Sequence, residues 1–179
     1  SAFVAMDPRN GRIQALVGGF DFQKNKFNHV TQAWRQPGSS FKPFIYSAAL
    51  EKGLTPMTVV NDAPLFYSAE QTGGKPWEPK NYDGQFDGPM SVRRALAKSK
   101  NMVSIRVLQL VGTQSAQEWV SRFGFDPARH PPYLTMALGA GSVTPMQMAA
   151  GYAVFANGGY RVTPTLITKV SDYRGQVLF

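Results

Sequence analysis

Proline is tolerated inside an α-helix only in its first turn, because it lacks an N–H donor and its ring meets the preceding carbonyl. Pro43 stands just before an apolar stripe, Phe44, Ile45, Ala48 and Ala49, which Phe41 extends backwards. The pattern predicts a helix from about Ser40 to Lys52, stopped by Gly53. Pro37-Gly38 breaks the chain ahead of it, which puts Ser39 at the helix mouth.

Around this anchor the elements follow a readable order. Ala2–Met6 and Ile13–Val17 flank Asp7-Pro8-Arg9-Asn10-Gly11 and predict a β-hairpin over residues 2–18. Residues 19–38 are loop-rich. Residues 54–90, rich in Pro, Gly, Asn and Asp and carrying Phe66, Tyr67, Trp77 and Tyr82, read as irregular and functional. Helices are predicted over 91–98 and 102–111, the second ended by Gly112. Ser115 and Glu118 form a capping box for a helix running to about Phe123. Thr144, Pro145 and Gln147 define the start of a helix over 145–156, and Asn157-Gly158-Gly159 its end. Residues 165–170 and 176–179 predict a second hairpin turning at Asp172–Gly175. Strands at both ends with helices between them imply an α+β fold, in which antiparallel strands from both ends share a sheet and a helical lobe is inserted between them.

Composition limits the chemistry. With 43% hydrophobic and 17% charged residues the chain is globular. No apolar run approaches the ~20 residues of a membrane span. No signal peptide opens the sequence, and Ser1 reads as a fragment boundary. There is no cysteine, which excludes thiol catalysis, disulfides and cysteine-based zinc sites. The two histidines, His29 and His130, sit in loop-like contexts, too few for a metal cluster and poor material for a Ser-His-Asp triad. No metal or cofactor is expected. The net charge of +8 comes from scattered basic residues, densest at Arg93-Arg94 and Lys98–Lys100. With no RNA-binding aromatic signature and no zinc-finger spacing, it reads as a solvated surface and not a nucleic-acid site.

Histidine-free chemistry is available in Ser39-Ser40-Phe41-Lys42. A serine hydroxyl holds its proton at neutral pH and needs a base within reach. Three residues' separation at a helix start puts Ser39 and Lys42 on one face. Lys42 can then serve as that base if burial lowers its pKa, and the helix N-terminus favours an oxyanion. A second element, Ser99-Lys100-Asn101, is the chain's one Ser-x-Asn. Its bland alternative is a helix-capping turn. Its chemical reading is a Ser99 hydroxyl that passes a proton between Lys42 and a leaving amine, with the Asn101 amide holding a substrate backbone.

Ser-x-x-Lys followed by Ser-x-Asn is the motif order of the penicillin-recognising serine enzymes. The surrounding words, Arg35-Gln36-Pro37-Gly38-Ser39-Ser40-Phe41-Lys42-Pro43, Pro79-Lys80-Asn81-Tyr82-Asp83-Gly84, Arg94-Ala95-Leu96, Ala137-Leu138-Gly139, Val143-Thr144-Pro145 and Phe155-Ala156-Asn157-Gly158-Gly159, resemble the transpeptidase domain of class A, 1A-type penicillin-binding proteins. The resemblance covers essentially the whole chain. It implies that helices flank the antiparallel sheet. It also implies that residues 1–179 are the N-terminal and central part of such a domain, a D-alanyl-D-alanine transpeptidase that cross-links peptidoglycan stem peptides. Ser39 is then the nucleophile, Lys42 the base, Ser99 the relay and Asn101 the substrate-binding residue. The Ser39 N–H forms half of the oxyanion hole, and β-lactam antibiotics acylate Ser39. The implied setting is the periplasmic face of the bacterial inner membrane. The implied partners are the rest of the transpeptidase domain, a glycosyltransferase domain and a membrane anchor outside this chain.

The family's third motif, Lys-Thr-Gly or Lys-Ser-Gly, is absent, since no lysine here is followed by those residues. The chain by itself is therefore expected to be inactive. His29 stands where relatives often carry arginine, and its plainer reading is an exposed loop histidine. Two rivals remain: a β-lactamase or β-lactam sensor of the same fold, and a non-enzymatic wall-binding module. A hydrolase needs a carboxylate placed for water, and after Asn101 only Glu118, Asp126 and Asp172 remain.

Overall fold

The computed structural model describes residues 1–72 and 74–178. It mixes helices with small antiparallel sheets, the α+β class expected, and divides into two compact units.

One unit comprises Ser1–Arg35, Arg122–Asp126 and the chain from Val143 onward. Its hairpin pairs β1 (Phe3–Met6) with β2 (Ile13–Val17), antiparallel, with an irregularity between Ala5 and Met6. Its helix, Pro145–Ala156, has the predicted bounds and the predicted cap: the Thr144 side chain accepts from Gln147 N–H while the Gln147 side chain accepts from Thr144 N–H. That helix packs on β1. Asn157 ties its end to the hairpin turn, donating from Nδ2 to the Pro8 carbonyl at 2.8 Å.

Among the described residues, the strands expected to share one sheet meet only at a parallel bridge between Arg12 and Thr165. The predicted second hairpin is reduced to a bridge between Ser171 and Val177, closed by Leu178 N–H to Val170 at 2.7 Å. Phe179, its last residue, lies outside the described residues.

The other unit, Gln36–Ser121 and Pro127–Ser142, holds both motifs. A 3₁₀ turn over Gly38–Phe41 leads into α1 (Lys42–Glu51), so the α-helix proper begins slightly later than predicted, with Pro43 in its first turn as proline requires. The expected irregular stretch contains structure the sequence reading missed. β3 (Val59–Asp62) pairs antiparallel with β4 (Gly88–Ser91), and Ala69–Thr72 forms a short helix, α2.

Three helices follow: α3 (Val92–Ala97), α4 (Asn101–Val111) and α5 (Thr113–Ser121). Helix α5 starts before Ser115, so the predicted Ser115–Glu118 capping box lies inside the helix and not at its start. Helix α1 packs against α3, α4 and α5, and Phe41, Phe44, Ile45, Met102, Ile105 and Leu108 are fully buried between them. Burying each such side chain contributes about 1.5–3 kcal/mol. Tyr46 Oη, 3.2 Å from Ser104 Oγ, and Trp119 Nε1, donating to Ser47 Oγ at 2.9 Å, fix α1 to α4 and α5.

His130 lies in an irregular segment, as expected, and there it is buried and stacked on Phe41 at 4.8 Å. The helix that carries the nucleophile candidate therefore stands on a buried apolar and aromatic base.

Candidate active site

Ser39 lies in the 3₁₀ turn and faces solvent. Its backbone N–H belongs to the first turn of a helix, where donors lack an intrahelical partner. The turn is set by a close backbone approach. Gly38 N–H donates to the Gly139 carbonyl at 3.2 Å, and Gly139 has φ +69°. A Cβ on Gly139 would lie 2.1 Å from the Gly38 oxygen, so only glycine fits there.

Lys42 is one turn further in and 1% exposed. With Tyr46 four residues on, it faces the start of α4. Its Nζ donates to the Ser99 carbonyl at 2.7 Å, to Ser99 Oγ at 3.0 Å and to Asn101 Oδ1 at 2.7 Å. Three ammonium protons thus meet three acceptors. Among the described residues, no hydrogen bond joins Lys42 to Ser39.

Burial opposes the charge and outweighs those bonds, lowering the Lys42 pKa from 10.5 to about 8. Loss of one proton leaves two donors and a lone pair. The Ser99 carbonyl and Asn101 Oδ1 can only accept, so they keep the donors. The lone pair then faces the single partner able to reverse its role, the Ser99 hydroxyl. Neutral Lys42 is in this way coupled to Ser99 by hydrogen-bond chemistry alone.

Ser99 reaches that position by an unusual backbone. It is the one non-glycine residue with positive φ, +54°, among those described. Helix α3 ends in a Schellman turn, with Lys100 N–H bonded to the Ala95 carbonyl at 3.0 Å and Ser99 N–H to Leu96 at 3.0 Å. Ser99 occupies the left-handed position where glycine is usual, at a cost of about 1–2 kcal/mol. Glycine would fit better but would bring no hydroxyl.

Asn101 opens α4 and works here as a strut. Its Oδ1 accepts from Lys42 and its Nδ2 donates to the Lys80 carbonyl at 2.8 Å, which leaves one amide hydrogen for another acceptor.

Sequence reasoning missed the support behind this turn. Lys100, the helix N-cap, makes no side-chain cap bond; Asn81 does that work from elsewhere in the chain. Asn81 Oδ1 accepts from Asn101 N–H at 2.8 Å and Met102 N–H at 3.3 Å, while Nδ2 donates to Asp62 Oδ1 and the Gln85 carbonyl, both at 2.7 Å. Lys100 is 3% exposed and lies 3.0 Å from Asp83, 3.4 Å from Asp62 and 3.5 Å from Asp87. Burial pulls its pKa down, but the Asp83 hydrogen bond and the three carboxylates raise it above the ordinary value. The available signals were Lys100, a charge set between the apolar runs of two helices, and the word Pro79–Gly84, which carries Asn81 and Asp83 but does not state their role.

Ser39, Asn81, Tyr82, Asp83, Lys98, Ser99, Lys100 and Asn101 line a cleft of about 380 Å³. Of these, Asp83 alone carries a carboxylate, and it is engaged by Lys100. A larger concavity of about 670 Å³, walled by the stacked Tyr67 and Trp77 and by Tyr133, contains neither motif. His29 is half-buried, its Nδ1 2.8 Å from the Gly18 oxygen and its ring edge-on to Phe27.

A solvent-facing serine thus stands at a helix mouth, with a buried lysine one turn behind it and a Ser-x-Asn turn bonded to that lysine. The chain belongs to the penicillin-binding protein transpeptidase domain family, whose model matches residues 1–177. It is 52% identical over 176 residues to penicillin-binding protein 1A of Neisseria flavescens, covering 98% of this chain and 22% of that protein. The chain thus spans about a fifth of the length of the curated relatives it matches. Among solved structures it resembles penicillin-binding protein 1A from Haemophilus influenzae, with TM-score 0.93 and 46% identity over 99% of this chain and 26% of that one. It also resembles PonA1 of Mycobacterium tuberculosis in complex with penicillin V, with TM-score 0.87 and 30% identity over 99% of this chain and 49% of that one.

Proposed function

We propose that residues 1–179 are the N-terminal and central part of a transpeptidase domain that cross-links peptidoglycan stem peptides through a serine acyl-enzyme. The observation that carries this reading is the buried Lys42, bonded to Ser99 Oγ and Asn101 Oδ1 behind the cleft that Ser39 lines.

Ser39 Oγ attacks the penultimate D-alanine carbonyl of a donor stem peptide. Its proton passes to neutral Lys42, with the Ser99 hydroxyl as shuttle. The tetrahedral oxygen takes the Ser39 N–H. As the carbon–nitrogen bond breaks, the same proton goes to the departing D-alanine amine, and an ester on Ser39 remains. An amino group of a neighbouring stem then attacks that ester. It gives its proton to Lys42, the new amide forms, and Ser39 Oγ recovers a proton. The free amide hydrogen of Asn101 holds the donor backbone. The second oxyanion donor is assigned to a Lys-Thr/Ser-Gly strand that this chain does not contain. β-Lactams follow the first half of the path and stop at the ester.

The one carboxylate lining the cleft, Asp83, is spent on Lys100, which favours transfer to an amine over hydrolysis. Stem peptides and β-lactams are the proposed ligands. The proposed setting is the periplasmic face of the inner membrane, within a longer protein that carries a glycosyltransferase domain and an anchor.

Fluorescent penicillin should label the full-length protein one-to-one at Ser39. Ser39→Ala should abolish labelling while leaving glycan binding intact. Undiminished labelling of Ser39→Ala would refute the assignment, and wild-type protein that binds glycan without ever labelling would favour the wall-binding alternative.

A further inference from the structure

The middle residue of a three-residue turn is ordinarily its most tolerant position. Here it is a fully charged side chain that is nearly inaccessible to water, and a buried ammonium persists only where carboxylates stand ready for it. Three do. Asp62 ends β3, while Asp83 and Asp87 lie on the loop before β4.

Asp62 is the hub. It is fully buried, and its Oδ1 accepts from Asn81 Nδ2. Its Oδ2 accepts from Asp87 N–H at 2.9 Å and lies 3.4 Å from Lys100 Nζ. Asn81 in turn caps Asn101 and Met102. The Lys100 side chain and the Asn101 backbone therefore both end on one carboxylate, by separate routes. Ser99, held left-handed, directly precedes Lys100 in the chain and accepts from Lys42 through both its carbonyl and its hydroxyl.

We propose that Lys100 is a positioning residue for acyl transfer: pinned by Asp62, Asp83 and Asp87, it holds the left-handed turn that aims Ser99 Oγ and Asn101 Oδ1 at Lys42. This rests on the acyl-transfer reading above. Lys100 Nζ is engaged by the three carboxylates and the Gln85 carbonyl, so its loss acts on the rate of acylation through the geometry of its neighbours. A misplacement of about 1 Å in such a site costs about 100-fold.

The test is single-turnover acylation by fluorescent penicillin in the full-length protein, with rate constant and amplitude measured separately. Amplitude reports the fraction of molecules that are folded, and the rate constant at saturating penicillin reports the geometry of the site. Lys100→Met should keep the amplitude and the apparent affinity but lower that rate constant by about 10–100-fold. Lys100→Arg, which retains the charge, should recover most of it.

A Lys100→Met rate constant within about twofold of wild type, with only amplitude or melting temperature reduced, would overturn the proposal, because a purely structural lysine behaves so. If Lys100→Met fails to fold, Asp83→Asn takes its place, since Asp83 is more than half exposed and its loss leaves Lys100 two carboxylates and the Gln85 carbonyl. A several-fold slower rate constant at full amplitude supports the proposal, and an unchanged one overturns it. Wild-type protein that never labels at Ser39 overturns the acyl-transfer reading instead, so the two failures are distinct.

Discussion

If neutral Lys42 is the base, acylation must follow its titration. Burial lowers the Lys42 pKa from 10.5 to about 8. The neutral fraction is then about 1% at pH 6, about 9% at pH 7 and about one half at pH 8. An unperturbed lysine would be about 300-fold poorer in the neutral form at pH 7.

Second-order rate constants for acylation, taken by stopped flow at low penicillin concentration, report groups of the free enzyme. Their logarithm should rise with unit slope from pH 6 and level off just above pH 8. Stability carries the same signature with a definite sign. The folded state binds fewer protons at this site than the unfolded chain between about pH 8 and 10.5, so the Lys42 contribution improves as pH rises through that window. Tyr46, raised by burial to about 12, works the other way above pH 10, where the unfolded chain ionises first. The lysine's share is therefore read as the difference between wild type and Lys42→Met. An acylation rate flat from pH 6 to 8 would refute the argument, as would an acid limb that survives in Lys42→Arg.

Two substitutions separate backbone from side chain at the same site. Ser99→Ala keeps the left-handed strain and loses the hydroxyl, whereas Ser99→Gly loses both. Glycine should be the more stable by about 0.5–1 kcal/mol, the 1–2 kcal/mol of strain less glycine's looser unfolded chain, measured by denaturant midpoint. Both should acylate about 10²–10⁴-fold more slowly. Gly139→Ala adds a Cβ 2.1 Å from the Gly38 oxygen at φ +69°. It should cost roughly 2–4 kcal/mol of stability and slow penicillin labelling, because Gly38 directly precedes Ser39.

The sequence yields those features whose physics is local. Thr144, Pro145 and Gln147 mark the start of the 145–156 helix because a capping box closes on itself within four residues. Pro43 places α1 for a similar reason. The pairing of β3 with β4 was hidden, since Asn61, Asp62, Gly88 and Pro89 are poor strand formers and only the distant partner makes them strands. Ser115 misled because Gly112, at φ +86°, ends α4 and lets α5 begin at once.

At the site, Ser39, Lys42, Ser99 and Asn101 were legible as short motifs, and the structure brings the last three into direct contact. Asp62 was not legible, and Asn81 was legible only as part of the word Pro79–Gly84, without a role. Their roles come from a buried network spanning β3, the loop before β4 and the start of α4, and no residue in it carries that information alone.

The site departs from local rules in three places, and the departures depend on one another. A buried lysine is unfavourable, a serine in glycine's conformation is unfavourable, and a second buried lysine needs three carboxylates around it. Remove the first and the other two serve nothing, because the turn has no amine to address. Remove the second and Lys42 loses the only partner that can both accept from it and donate to it. Remove the third and the turn is free to relax. Strain kept for packing would weaken stability and acylation together when disturbed, as expected of Gly139→Ala. Strain kept for chemistry should let them part, so Ser99→Gly, more stable than Ser99→Ala yet equally slow to acylate, would mark Ser99's backbone as held against its own preference for the sake of the hydroxyl.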